Sequence, residues 1–311
     1  MSRNAILIAG QSGTKSTFAG GLYHHVEKTR GYSVVPTIWG DEGEFDDDVL
    51  DNMFGQGEYP DQTRNGYVAK FEIDGKAFSR PGIEVDIVDF PGEQVGDVLD
   101  PPGDTKPLLE RIRDGEADDP ETVEERFEND VRAKFVGGRP GPDSWETLFL
   151  HYYYEADKAI FLMNTLKTVD QSQLSVDVDS DSGFVYGPKE LKQANEDFSD
   201  VAFVPAAVDW YGYDPASFDP GFVQRFASLL LTPSLRDDEL MTHLNRVIST
   251  GSNPDASRLL DAVEQTGEID LFSVSVPDRG TPAQLDGLLA DDGHGGFEVN
   301  GFDEVITWLE T

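Results

Sequence analysis

Residues 5–18 read AILIAGQSGTKSTF, and this stretch decides the fold. The apolar run from Ala5 to Ala9 passes into a Gly/Ser/Thr-rich turn, and Lys15-Ser16-Thr17 then opens a helix-forming segment. A buried strand, a loop of small residues and a helix start, in that order, make a cradle for an anion. The loop amides and the helix N-terminus face the ligand, the lysine offsets phosphate charge, and the serine hydroxyl can sit on Mg2+. Gly10, Gln11, Ser12, Gly13, Thr14, Lys15, Ser16 and Thr17 are therefore the expected phosphate-binding residues. The spelling departs from G-x-x-x-x-G-K-[ST]. Counted back from Lys15, glycine is wanted at 9 and 14, where this chain has Ala9 and Thr14, and its glycines fall at 10 and 13.

The 311 residues carry 60 acidic and 24 basic side chains, a formal net charge of −36. That balance argues against nucleic acid or an anionic membrane surface as a partner, since both need a positive face. The carboxylates run along the whole chain (GDEGEFDDD, DGEADDPETVEERFEND, DVDSDS, LADDGHGG) instead of gathering in one tail. Such a surface stays soluble where salt screens its self-repulsion, and it resembles the surfaces of proteins from extremely halophilic archaea. The absence of cysteine excludes a disulfide scaffold, a zinc–thiolate site and a thiol nucleophile. No apolar stretch approaches the ~18 residues of a membrane span, and the N-terminus lacks a signal-peptide core. The expectation is a soluble, cytoplasmic protein that is not a membrane protein. The five histidines (His24, His25, His151, His243, His294) show no metal-ligand spacing, and His24-His25 is expected on the exposed side of the first helix.

Strand-like and helical stretches alternate down the chain. A helix over 16–30 is followed by a long acidic segment, 31–66, punctuated by Gly and Pro. Two strand-like runs follow, 67–73 and 82–90, joined by a connection that begins Asp74-Gly75, a hairpin signal that predicts an antiparallel pair. Residues 93–145 are polar and partly helical, and a helix through WETLFLHYYYEA leads into a buried strand at 158–164. A second buried strand is expected at 201–209 and a third at 269–276, with helices near 188–196, 220–231, 236–249 and 255–265 and a closing helix in FDEVITWLE. This order predicts an α/β fold whose sheet is parallel apart from one antiparallel strand. The whole of 1–311 reads as one domain, with a helical insertion at 93–150.

The strand through 83–88 ends in Asp89-Phe90-Pro91-Gly92-Glu93. An Asp at the carboxyl end of a buried strand is placed to hold Mg2+, and the Gly92 amide three residues on can approach a γ-phosphate closely. With D-x-x-G following an antiparallel hairpin, the chain resembles the translation-factor-related class of P-loop GTPases. The resemblance implies a three-layer P-loop NTPase sandwich with the helical insertion after DxxG. Within that class the degenerate base motif and large insertion look most like the prokaryotic "double-GTPase" group, whose members are thought to work in multi-protein conflict or signalling systems.

The same resemblance implies roles for further positions. The first switch, within 31–66, would supply a Mg2+-coordinating threonine: Thr63 fits best, with Thr37 the runner-up. The base motif N-K-x-D would follow the strand at 201–208, where the chain reads Ala206-Ala207-Val208-Asp209. Asp209 could pair with guanine, but the Asn and Lys are absent; Asn164 and Lys167 spell a rival match after an earlier strand. Ser273, or Ser275, falls where family members contact the base. Glu93, or Gln94, would orient the attacking water. Arg111, Arg113, Arg126, Arg132 and Arg139 lie in the insertion, as candidates for an in-cis arginine finger or as surface residues balancing acidic neighbours. The cofactors implied are Mg2+ and GTP, or ATP given the missing Asn-Lys pair. The alternative to a slow hydrolase working on an unknown protein partner through segments 31–66 and 90–105 is a non-catalytic nucleotide-dependent scaffold.

Overall fold

Apolar residues alternate along the strands so that each strand feeds two cores. In β1 (Arg3–Ile8), Ile6 and Ile8 face one core, and Ala5 and Leu7, followed by Ala9, face the other. β5 (Lys158–Asn164) divides in the same way, Phe161 and Met163 against Ile160 and Leu162. Strands buried on both faces belong to the middle of a parallel sheet. The computed structural model describes residues 3–10, 14–40, 43, 45–61, 63–75, 82–90, 97–137, 142–167, 184–214, 238–250, 254–280 and 286–311.

The remaining strands are β2 (Tyr32–Gly40), β3 (Tyr67–Gly75), β4 (Ile83–Asp89), β6 (Asp200–Ala206) and β7 (Asp270–Leu271). They join β1 and β5 in one seven-stranded sheet of order β2-β3-β4-β1-β5-β6-β7. The pairs β4–β1, β1–β5, β5–β6 and β6–β7 are parallel, and β3 runs antiparallel to both β2 and β4. The expected α/β class and the expected reversed strand are both present. The segment 31–66, to which the sequence reading assigned no element, holds two: residues 32–40 form the edge strand β2, and Phe45–Gln56 form a π-type helix. β2 contains Pro36, and an edge strand is where a sheet tolerates a missing N–H.

Helices cover both faces. On one lie α1 (Lys15–Lys28), the π-type helix and the closing helix Phe302–Glu310, packing Phe18, Leu22, Met53, Phe302 and Trp308 against Leu7, Phe71 and Val85. The glycine pair in α1 allows this approach. A side chain at Gly20 would strike Met53, and a Cβ at Gly21 would stand 2.6 Å from the Phe302 ring. On the other face α2 (Leu108–Arg113), α3 (Pro120–Arg126), α4 (Arg132–Gly137) and α5 (Pro142–Glu155) precede β5. They are followed by α6 (Pro188–Asp197), α7 (Asp238–Thr250) and α8 (Pro254–Thr266). Trp145 and Phe149 of α5, Leu244 of α7 and Leu259 of α8 all enter this second core. The helix expected over 220–231 lies outside the described residues. None of the described helices is long and apolar enough to cross a membrane.

Candidate functional site

The topology itself gathers the phosphate-end residues. β1 and β4 are parallel neighbours with Ile6 opposite Asp86, so their carboxyl ends, and with them Asp89 and the start of α1, share one edge of the sheet. β3 begins at Tyr67, directly opposite Asp89, which lays the preceding residues 63–66 across the end of β4. Four expected residues from three separate segments therefore meet. The Ser16 hydroxyl donates to Asp89 Oδ2 at 2.6 Å, the Thr63 hydroxyl donates to the same oxygen at 3.0 Å, and the two hydroxyl oxygens are 3.4 Å apart. Lys15 Nζ stands 3.5 Å from Asp89 Oδ1, with both side chains buried, and 5.8 Å from the centre of the Phe90 ring.

These are hard oxygen donors grouped around one carboxylate. Around an octahedral Mg2+ with 2.0–2.1 Å bonds, adjacent ligand oxygens lie about 2.9 Å apart. The Ser16, Thr63 and Asp89 spacings straddle that value, so the donor set fits Mg2+ in chemistry and in size. Thr37, the rival for the switch threonine, lies instead on β2 with its side chain toward solvent. β2 is paired along nine residues with β3, and Thr63 lies beyond the π-type helix, just before β3.

Thr14, where the motif has glycine, precedes α1 with φ +65°, left-handed; its side chain does not cap the helix, and its carbonyl accepts the Phe18 amide at 2.8 Å. A β-branched residue is strained there by about 1–2 kcal/mol and glycine is not. Gln11, Ser12, Gly13, Gly92, Glu93 and Gln94 lie outside the described residues. Gly10 is buried at the end of β1.

A second group forms at the ends of β5, β6 and β7. Ala206 pairs with Asn164 in β5 and bridges to Val274, and the Ala207 amide donates to Val274 O at 3.2 Å. Ser273 and Ser275 are buried here, and Ser275 Oγ has no hydrogen-bond partner among the described residues. Ala207 takes φ +61°, and the turn Val208–Tyr211 that follows holds Asp209. Asp209 Oδ1 is likewise buried without a partner. Burial raises its carboxyl to about 6, against the pull of the Asp209 and Trp210 amides, with Glu298 and Asp278 adding to the rise. Tyr59 closes over this end. Its hydroxyl donates to Val276 O at 2.8 Å, and burial, helped by Asp278, Asp209 and Asp286, pushes the phenol well above its usual range.

Of the rival match, Asn164 ends β5, and its Oδ1 accepts the Leu166 amide at 3.0 Å. The neighbouring Thr165 hydroxyl, which no sequence signal singled out, donates to Ala206 O and ties the end of β5 to the end of β6. The insertion arginines are engaged with carboxylates. Arg111 meets Glu146 at 2.8 Å, Arg113 meets Asp114 and Glu190, Arg126 meets Asp118, and Arg132 meets Glu128 at 2.8 Å. Arg139 lies outside the described residues. His24, expected on the exposed side of α1, is buried. It stacks on Phe297 at 4.1 Å with Phe54 against its edge, an apolar setting that lowers its pKa. Compared with protein-family models and with curated proteins, the chain matches none.

Proposed function

We propose that this chain is a Mg2+-dependent switch protein that binds and slowly hydrolyses a nucleoside triphosphate, GTP in preference to ATP. The observation that carries the reading is the meeting of Ser16, Thr63 and Asp89 oxygens beside the buried Lys15 ammonium, where β1 and β4 end and α1 begins. Ser16, Asp89 and Thr63 would hold the metal, whose chemistry is to neutralise charge on the β- and γ-phosphate oxygens. Lys15 and the loop amides supply further positive potential aimed at the same oxygens. Glu93 or Gln94 orients the attacking water. Thr63 reaches the site through Ser16 and Asp89; a γ-phosphate and its metal would add a further hold on this segment, and hydrolysis would remove that hold and alter the surface offered to a protein partner. Such a partner would suit a multi-protein prokaryotic signalling or conflict system.

Base preference rests on Asp209. Its Oδ1 and the Ser275 hydroxyl are both buried without a hydrogen-bond partner among the described residues, near the ends of β6 and β7, and an ionised carboxylate can accept both N–H groups of a guanine edge. ATP is the second reading, favoured by Ala206-Ala207 where Asn-Lys would brace and stack on guanine. Competition binding of GTP against ATP with Mg2+ in molar KCl separates the two. GTP should win, and Lys15→Ala should abolish binding. Equal or ATP-favoured affinity retires the guanine preference. Binding that survives Lys15→Ala, or wild-type protein that binds no nucleotide, retires the whole reading in favour of a scaffold. Mass analysis of any copurified nucleotide reports on base identity directly.

A further inference from the structure

The stretch between the π-type helix and β3 carries Thr63, and a distant part of the chain grips its beginning. Past β7 the chain folds back on itself. The Arg279 amide donates to Leu288 O at 2.7 Å, the Ala290 amide to Pro277 O at 2.9 Å, and the Glu298 amide to Ala290 O at 2.8 Å. Ser275 and Asn300 exchange amide bonds at 3.0 and 2.9 Å, and the Asp278 carboxylate accepts the Gly280 and Gly287 amides. Residues 57–59 join this small unit as a further strand would. Gly57 O accepts the Leu289 amide at 2.7 Å, Glu58 bridges antiparallel to Leu288, and the Tyr59 hydroxyl donates to Val276 O at 2.8 Å.

A second contact lies beside the first. Phe297 stacks on His24 of α1 at 4.1 Å, and Phe54 of the π-type helix meets the two rings edge-on, at 5.1 and 5.2 Å. Lys28 of α1 pairs with Asp292. Main-chain bonds hold 57–59 while packed rings hold Phe54, so the grip does not depend on a single side chain.

We propose that residues 276–280 and 286–297 are a fixed clasp on this segment and that the surface responding to the nucleotide is confined to residues 60–66, an inference that rests on the nucleotide-dependent switch proposed above. Upstream the segment is anchored at Tyr59, and downstream Tyr67 opens β3 opposite Asp89. Thr63 sits between these anchors with its hydroxyl on Asp89. Moving 54–59 would break main-chain bonds and part three rings, whereas moving 60–66 disturbs groups that the γ-phosphate and metal themselves would hold. The π-type helix and β2 then keep their places through the cycle. A protein partner reads a short loop whose exposed Asp61 and Arg64, 3.8 Å apart, offer one charge of each sign.

The test uses the absence of cysteine from the chain. Glu58→Cys with Leu288→Cys puts two thiols on an antiparallel bridge pair, whose Cα spacing of about 4.5–5.5 Å suits a disulfide. In the full chain in molar KCl, the oxidised variant should turn over Mg2+–GTP within about twofold of its reduced form. Hydrogen exchange of wild type, read by mass spectrometry, should be slower over 288–290 than over 60–66 without nucleotide. Mg2+–GTP should change exchange over 60–66 and leave 50–59 as it was. A thiol pair that does not oxidise in air, or fast exchange over 288–290, overturns the clasp. Turnover slowed about tenfold or more by the disulfide, or a nucleotide-dependent change over 50–59, shows that the grip opens in the cycle and overturns it too. Wild type that binds no nucleotide retires the proposed function and the response of 60–66 with it, while oxidation and exchange still decide the clasp in the nucleotide-free protein.

Discussion

Asp89→Asn removes one charge from the point where three segments meet while preserving size and one acceptor oxygen. In the folded protein Asp89 faces Lys15 Nζ at 3.5 Å and accepts both the Ser16 and Thr63 hydroxyls. At an effective dielectric constant of about 20, a pair at that separation is worth roughly 5 kcal/mol. Part of this is offset because the variant no longer desolvates a carboxylate. The ammonium, however, stays buried without its counter-charge, and breaking such a pair typically costs about 3–5 kcal/mol. At the lower end, about 3 kcal/mol, and roughly 2 °C per kcal/mol for a chain of this size, the nucleotide-free variant should melt about 6 °C below wild type. A ligand at a hundred times its dissociation constant stabilises by about 2.7 kcal/mol. Wild type should therefore rise by roughly 5 °C with Mg2+ and GTP, and Asp89→Asn should rise by less than about 1 °C. Both shifts are read by calorimetry in molar KCl. A variant that melts with wild type refutes the buried ion pair, and one that keeps the full Mg2+–GTP shift refutes the metal role of Asp89.

Other substitutions probe single features. Thr14→Gly relieves left-handed strain of about 1–2 kcal/mol but frees the unfolded chain by about 0.5–1 kcal/mol. A net gain of roughly 0.5–1 kcal/mol in denaturant unfolding is expected, and a loss would show that Thr14 makes a contact outweighing its strain. Gly301 takes φ +81° with its would-be Cβ driven into Ser273 O, so Gly301→Ala should destabilise by at least about 2 kcal/mol and weaken base discrimination through residues 273–276, which follow β7. Asp209 is held near 6, and its ionised form is the one that accepts guanine N–H groups. GTP affinity should thus be flat above about pH 7 and fall as pH drops through 6, by up to about tenfold per unit. In the free protein the sign is the reverse: a raised carboxyl favours the folded state below its unfolded pKa and loses that contribution as pH rises toward 6. Asp209→Asn should flatten both profiles, and an unchanged GTP profile would remove Asp209 from base recognition.

Much of this architecture was legible along the chain because the informative signals are local. Apolar runs bounded by helix starts located β1, β4, β5 and β6, and the hairpin signal at Asp74-Gly75 identified the reversed strand. The signal failed where local preference and tertiary context disagree. Residues 32–40 fall within the acidic, Gly- and Pro-punctuated segment 31–66, but pairing with β3 over nine residues makes them a strand. His24 read as an exposed helix residue, yet Phe297, far along the chain, covers it. Thr165, Tyr59 and Leu289 carry no motif, and each matters only because a distant segment stands beside it.

The sequence by itself located the strands β1, β3, β4, β5 and β6 and the chemical kinds present in AGQSGTKST, DFPGE and Asp209, because a strand end, a helix start and a turn are specified within a few residues; it missed β2 and the π-type helix. Only the tertiary structure decided which residues meet. The parallel register of β1 with β4 and the antiparallel start of β3 at Tyr67 choose Thr63 over Thr37 as the partner of Ser16 and Asp89. The pairing of Gly57 and Glu58 with Leu289 and Leu288 joins two segments that lie far apart in the chain. Such meetings depend on sheet order and register across tens to hundreds of residues, and a local pattern carries no record of them.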